Sequence, residues 1–352
     1  MFVPPFCPYR ACSQHRLPEP GFYRHHGTYH PRCRPHPVQR YGCRTCRRTF
    51  SRQTFRVDYR DHRPDLNPQL FVLLASGLGL RQCSRDLGLS LPCTERKFRK
   101  LARHLRRLNL NLRQPLDGVL GVHFDELETF EGERNTRPLT VALSVVSEAR
   151  FLVWCESAPI RARGKMTEKR RKALAEAEKR HGVRRDLSQR CTSRTLARTA
   201  ALVGAKPLVV LHTDEKTTYP KLAREAFGGA QLEHHQTNSK LVRDTFNPLF
   251  PVNHEEAIAR DLMGRMRRES WLASKQRRYL DLALQLHMAY RNLVRRRFNR
   301  DEASPAQILG FVPRRLTPEE VLSWRQEWGR RSVHPLSRRG VSVESRMGTK
   351  AA

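Results

Sequence analysis

Two closely spaced cysteine pairs, Cys7-x4-Cys12 and Cys43-x2-Cys46, constrain the first 65 residues more than any other feature. This arm is rich in Pro, His, Cys and Arg and shows little helical or strand periodicity, so a hydrophobic core alone is not expected to fold it. Four thiolates on two knuckles are what a closed tetrahedral structural zinc requires, and binding of the metal then supplies folding energy. Cys33, flanked by His30 and His36, is a substitute ligand or a bystander. The nine cysteines are odd in number, cluster early and follow no apolar signal segment, a pattern of reduced thiols around a metal rather than of disulfides. Cys83, Cys93, Cys155 and Cys191 read as small core residues.

Charge narrows the partner. The 352 residues carry 67 Lys plus Arg against 34 Asp plus Glu, a formal charge of +33. A surface that basic calls for a polyanion, and nucleic acid is the usual one because each neutralised phosphate releases counterions. An anionic membrane is the alternative, but there is no apolar run of about 18 residues, so a cytoplasmic chain is expected. The basic residues lie among periodic apolar segments rather than in separate tails, which argues for a folded chain.

The pattern divides the chain into an arm over 1–65, a helical segment over 66–112, an α/β region over 113–300, and a C-terminal helix with a basic tail over 301–352. In RQCSRDLGLSLPCTERKFRK a helix, a turn near Gly88 to Ser90 and a second helix read as a helix-turn-helix. Arg96, Lys97, Arg99, Lys100 and Arg103 lie along the second helix, a geometry that enters a major groove, with a plain three-helix packing unit as the alternative. VLGVHFDELETF, PLTVALSVV and RFLVWCES read as three strands, GKMTEKRRKALAEAEKR as a polar helix, and KPLVVLHTD as a buried strand of a mixed sheet. A helix capped by Asn253 is expected through HEEAIARDLMGRMRRESW, another over 276–298, and a last one behind the Thr317 to Glu320 capping box.

Asp125 and Asp214 end two of the apolar strands, where open sheets place catalytic groups. On parallel neighbouring strands both carboxylates project at one edge, a crowding that a bridging divalent cation makes tolerable. A third acid is expected from the Asn253 helix, with Glu255, Glu256, Asp261 and Glu269 as candidates.

CPYRAC, YGCRTCRRTFS, FDELETF, LHTDEKTTYP, NPLFPVNH, RDLMGRMRRESWLASK and MAYRNLVRR together resemble bacterial insertion-sequence transposases of the DDE type that carry an N-terminal zinc ribbon. The resemblance runs from Cys7 to about Trp328. It implies an α/β multidomain chain: a zinc ribbon, a helix-turn-helix and a ribonuclease-H-like mixed sheet flanked by helices. It implies catalytic Mg²⁺, double-stranded DNA as partner, both at inverted-repeat ends and at the target, a homo-oligomer on DNA and a nucleoid-associated location. Asp125 matches the first acid and Asp214 the second; for the third, Asp261 is preferred over Glu256. In that chemistry two metal ions activate a water, then the freed 3′-hydroxyl, and stabilise the leaving oxygen of an in-line displacement.

Lys216 and Tyr219, just after the second acid, read as holding a flanking phosphate, with a plain solvated turn as the alternative. Arg265, Arg267, Arg268, Lys275 and the run Arg295 to Arg297 read as basic helical surface along a DNA backbone. His234 and His235 read as structural, with approach to the metal as the alternative; Trp271 and Tyr290 read as helix core. Two other functions compete: a non-catalytic, domesticated DNA-binding regulator, which would not need Asp125 or Asp214, and a nuclease or resolvase on the same core, which would not need separate end-recognition modules.

Overall fold

The structure is a computed structural model and describes residues 2–33, 35–112, 120–203, 208–228, 231–267 and 270–325. The arm folds as a short helix α1 (Ser13–Arg16) and an antiparallel sheet of β1 (Tyr23–Tyr29), β2 (Val38–Cys43) and β3 (Thr49–Ser51) in that order. The Sγ atoms of Cys7, Cys12, Cys43 and Cys46 lie within 4.8 Å of one another, Cys7 to Cys46 at 3.7 Å and Cys12 to Cys43 at 3.8 Å. A tetrahedron with zinc–sulfur bonds of about 2.3 Å has edges of about 3.8 Å, so the four sulfurs are compatible with a structural zinc site. Burial opposes ionisation of Cys43, but backbone N–H groups of Cys46 and Thr45 outweigh it and hold that thiol below its ordinary range, toward the thiolate a metal binds.

The arm has more of a core than its sequence suggests. Phe22, Tyr41, Phe50 and Phe55 are buried around the cysteines, with Phe2 and Phe6 against them. β1 lies mostly exposed, so no inside-outside alternation marks it as a strand.

Next come α2 (Asn67–Ala75), α3 (Leu80–Asp86) and α4 (Leu91–Asn111). The turn between α3 and α4 holds Gly88 at φ +60°, a left-handed position that suits glycine after a helix end. Ser90 accepts from the Cys93 N–H at the start of α4, and Phe98, Leu101, Leu105 and Leu108, three or four apart, turn inward. They belong to the same core as Leu286, Ala289 and Leu293 near the C-terminus and Val122 and Phe124 of the sheet. The helical segment over 66–112 is thus packed into the α/β region rather than around a core of its own.

That region is a five-stranded mixed sheet built from β4 (Leu120–Phe130), β5 (Pro138–Val146), β6 (Phe151–Pro159), β7 (Leu208–Asp214) and β8 (Gln231–Thr237). The order is β6-β5-β4-β7-β8; β4, β5 and β6 are antiparallel hairpins, and β7 joins β4 and β8 in parallel. Two helices, α5 (Glu168–His181) and α6 (Ser188–Val203), link β6 to β7, and α7 (Tyr219–Phe227) links β7 to β8. Then follow α8 (Phe250–Leu262), α9 (Arg277–Ala289) with a π turn over Tyr290–Val294, α10 (Pro305–Ile308) and α11 (Pro318–Ser323). Cys191 and Leu196 of α6 and Tyr219 and Ala223 of α7 share a core with Val122, Phe124 and Ala142 of the sheet. Leu139, Val141 and Leu143 share another with Val252 of α8 and Leu280 and Leu284 of α9. No helix among the described residues is long and apolar enough to cross a membrane.

Several expectations are corrected. α8 starts at Phe250 with Pro251 in its first turn rather than at an Asn253 cap, and it stops at Leu262, so Arg265 lies in a short 3-10 turn (Gly264–Met266) and Arg267 beyond it instead of on a continuing helix. Trp271 is fully exposed instead of core, while Tyr290 packs edge-on against Phe71 at 6.0 Å. Cys83, Cys155 and Cys191 are buried, but Cys93 is only half-buried. Glu269, Arg268 and the tail from 326 lie outside the described residues.

One buried ion pair ties α8 to the end of α9. Arg291 donates to Glu255 from Nε at 2.8 Å and from a terminal nitrogen at 2.6 Å, both side chains fully buried, and spends its other donors on the Arg296 and Arg297 carbonyls at 2.9 Å each. Arg291→Ala is expected to cost about 3–5 kcal/mol in denaturant unfolding, because it strands a buried carboxylate; a loss under about 1 kcal/mol would show that α8 is held by other means. The wild type is expected to carry one zinc equivalent by atomic absorption, and replacing Cys43 by Ser to abolish it and to open the arm to protease. Unchanged zinc content would rule out the four-sulfur site.

Candidate active site

β4 and β7 pair in parallel from Leu120 opposite Val209 to His123 opposite His212, where the ladder ends. Asp125 and Asp214 each lie two residues further on and keep the parity of those histidines, so they sit level on one face of adjacent strands. Asp214 ends its strand as expected. Asp125 does not, because β4 runs on to Phe130 against β5 alone. The Glu126 N–H donates to Asp125 Oδ1 at 2.7 Å, and the Lys216 N–H donates to Asp214 Oδ1 at 3.1 Å. Each acid thereby has one oxygen oriented by its own chain.

The helix on that face contributes Glu256. With Asp125 and Asp214 it lines a cavity of about 590 Å³, to which Asn253 and Arg260 from the same helix face also contribute. Positions 253, 256 and 260 fall on one side of a 3.6-residue helix. Asp261 is five residues past Glu256, on a different side; it is exposed and its carbonyl receives Arg267 at 3.0 Å, outside the cavity. Of the candidates for a third acid, Glu256 lines the cavity with Asp125 and Asp214 and the preferred Asp261 does not, as helical phase dictates. Glu255 points the other way, to Arg291.

Two of the three carboxylates are electrostatically uncomfortable. Burial, then the charge of Asp214, raises Asp125 above the ordinary carboxylate range; burial, then the charge of Asp125, raises Glu256 further. Glu256 Oε1 is buried without a hydrogen-bond partner among the described residues. An all-oxygen set with an unsatisfied buried acceptor suits a hard divalent cation. The carboxylates do not, however, gather within 4.8 Å as the four thiols do. Around the cavity stand Arg134, Arg163, Arg170, Arg243 and Arg260, cationic groups that the sequence reading did not single out. Arg260 had a signal in its helical spacing from Glu256; Arg243, in an irregular loop after β8, had none.

Glu126, beside Asp125 but facing the opposite side of the sheet, gathers Lys216 Nζ, the Tyr219 hydroxyl at 3.1 Å and the Thr192 hydroxyl at 3.1 Å. Tyr219 is thus buried with its hydroxyl on Glu126, Lys216 is paired with the same carboxylate, and both line a small pocket beside Asp125 and Asp214. Other basic residues move as well. Lys97 is buried, with Nζ on Asp61 at 2.6 Å and on Asn67 at 2.9 Å; Lys100 donates to the Tyr59 carbonyl. Arg265 binds the Ser274 hydroxyl at 2.9 Å and covers the Phe98 ring. Arg297 is paired with Asp301 at 2.6 Å. Arg96, Arg267 and Lys275 remain exposed, and Arg99 is half-buried. His235 stacks on His212 at 5.1 Å and His212 on His123 at 4.5 Å, with burial driving His123 down to about 3, so the ladder beneath the acids carries a neutral ring at its base. His234 bonds the Thr213 hydroxyl at 2.9 Å.

The sign of the pH effect follows. Folding raises the Glu256 carboxyl above its unfolded range, so the folded chain holds a proton that the unfolded chain has lost, and stability falls as pH climbs through that interval. In magnesium-free buffer Glu256→Gln is expected to gain on the order of 2 kcal/mol over the wild type between about pH 5 and pH 8, and millimolar Mn²⁺ to close that gap by stabilising the wild type. A pH-independent difference in thermal midpoints would refute the charge crowding.

Compared with models of known protein families the chain matches none, and no curated protein matches it in sequence.

Proposed function

We propose that the chain is a DDE-type DNA transposase, a metal-dependent phosphoryl-transfer enzyme with Asp125, Asp214 and Glu256 as its acids. The observation that carries this reading is the convergence of those three carboxylates, from two parallel strands and one helix, on a cavity rimmed by arginines. A site with that charge pattern has two requirements: a cation for the carboxylates and an anionic substrate for the arginines. Phosphodiester DNA with bound Mg²⁺ meets both. The mixed sheet with two leading hairpins supports a ribonuclease-H-like core, although two helices rather than one precede β7. The four-sulfur arm and the charge of +33 support DNA engagement.

Bound at the three acids, divalent cations would supply a nucleophilic oxygen and stabilise the leaving one. The chain's own residues hold the reacting groups. Backbone N–H groups of Glu126 and Lys216 fix the carboxylate orientations, and Arg243 and Arg260 face the phosphate that enters between them.

Asp125→Asn, Asp214→Asn and Glu256→Gln are each expected to lower strand cleavage by roughly 10²-fold or more with duplex affinity kept, while Asp261→Asn leaves cleavage near wild type. A donor plasmid carrying the flanking inverted repeats provides the assay. Wild-type protein that binds the repeats without cleaving them would favour the DNA-binding regulator, cleavage that survives Asp125→Asn would overturn the acidic site, and cleavage without joining would reduce the enzyme to a nuclease.

A further inference from the structure

A second basic cleft, of about 380 Å³, lies between α4, α6 and α9, and it shares no lining residue with the acidic cavity. Its walls carry Arg99, Arg103 and Arg106 from α4, Arg194 from α6, and Arg277 and Arg278 from α9. Three of these are matched by carboxylates: Arg99 with Glu95 at 3.5 Å, Arg194 with Glu156 at 2.5 Å and Arg277 with Asp281 at 3.0 Å. Arg103, Arg106 and Arg278 are exposed and have no carboxylate within ion-pair distance among the described residues. Arg198 stands at the same place with its guanidinium 4.2 Å from the ring centre of buried Trp154. Burial first, and then the nearby charges of Arg106 and Arg194, pull Arg198 below the usual guanidinium range. Like charges from three helices are held together here with too few anions to balance them, an arrangement that lowers its energy when a polyanion enters.

The same geometry alters the role of α4. A recognition helix must protrude to enter a major groove, but the outward stripe Arg99, Arg103 and Arg106 forms one wall of a cleft whose other walls are α6 and α9. Guanidinium groups from three separate elements outnumber the Glu156 and Asp281 carboxylates in the lining, and guanidinium groups in a row suit successive phosphates more than the edges of one base pair.

We infer that this cleft is a sequence-independent binding site for the phosphate backbone of duplex DNA, separate from the acidic cavity. The inference rests on the reading of DNA as substrate and adds to it a second contact surface, in which α4 acts through phosphates. The test is fluorescence anisotropy with two unrelated duplexes of about 30 base pairs over a salt series, on full-length protein carrying Arg103→Gln, Arg106→Gln and Arg278→Gln together. All three side chains are exposed, so the thermal midpoint is expected to stay at the wild-type value. Affinity is expected to fall at least roughly tenfold on both duplexes at about 0.15 M salt, with the slope of log K against log salt reduced by about 2–3. Wild-type affinity and slope in the triple variant would overturn the cleft and leave the acidic site untouched. A loss confined to one duplex would overturn the backbone assignment in favour of base readout. Wild-type protein with no salt-dependent duplex binding would overturn the cleft and the DNA reading together, whereas loss of cleavage alone in Asp125→Asn separates the chemistry from both.

Discussion

The site depends on a charge pair that it does not contain. Glu255 and Arg291 meet without solvent, and Arg291 also fills the carbonyls of the chain that follows the π turn. A pair like this adds little net stability over a well-packed apolar alternative, because both ions lose their water. Its effect is positional. With Glu255 committed to Arg291, the helix can rotate little about its axis, and Glu256, about 100° round, is turned onto the sheet face where Asp125 and Asp214 stand side by side.

Glu256 therefore occupies a place it would not choose on electrostatic grounds. It is buried, one oxygen lacks a donor, and a like charge is beside it. Such a group persists only if surrounding packing over-determines it, and here Val252 on one turn and the Arg291 pair on the other side do so. Glu126 plays the corresponding part beneath Asp125. It draws Lys216 and Tyr219 to the back of the sheet, so the chain after Asp214 is held against the strand that carries the first acid. Two carboxylate neighbours, Glu255 and Glu126, thus aim Glu256 and Asp125 at the cavity.

Basic residues follow the same logic of commitment. Of the residues on α4 that resemble a DNA-reading face, Lys97 is consumed by Asp61 and Asn67, where it clamps the linker from the cysteine arm to the helix. Arg96 and Arg103 on the exposed side keep their charge for solvent or ligand. A sequence reading counts both as cations, and only burial distinguishes a clamp from a contact.

The sequence by itself determined what depends on spacing along the chain. The four cysteines could be chosen from nine because two knuckles need short loops, the turn at Gly88 followed from a residue that tolerates positive φ, and the strands around Asp125 and Asp214 followed from apolar runs. It left the phase of α8 undecided, since Glu255, Glu256 and Asp261 are all acids on one helix and the sequence does not say which side of it meets the sheet. It also could not separate Trp271 in an exposed loop from a core aromatic, or Lys97 from Arg96. Those choices belong to the tertiary structure, because they are settled by pairings between distant segments: Arg291 with Glu255, the end of the β4–β7 ladder with Glu256, and Asp61 with Lys97. The cost of burying an unmatched charge selects among them, and that cost exists only after the chain has folded.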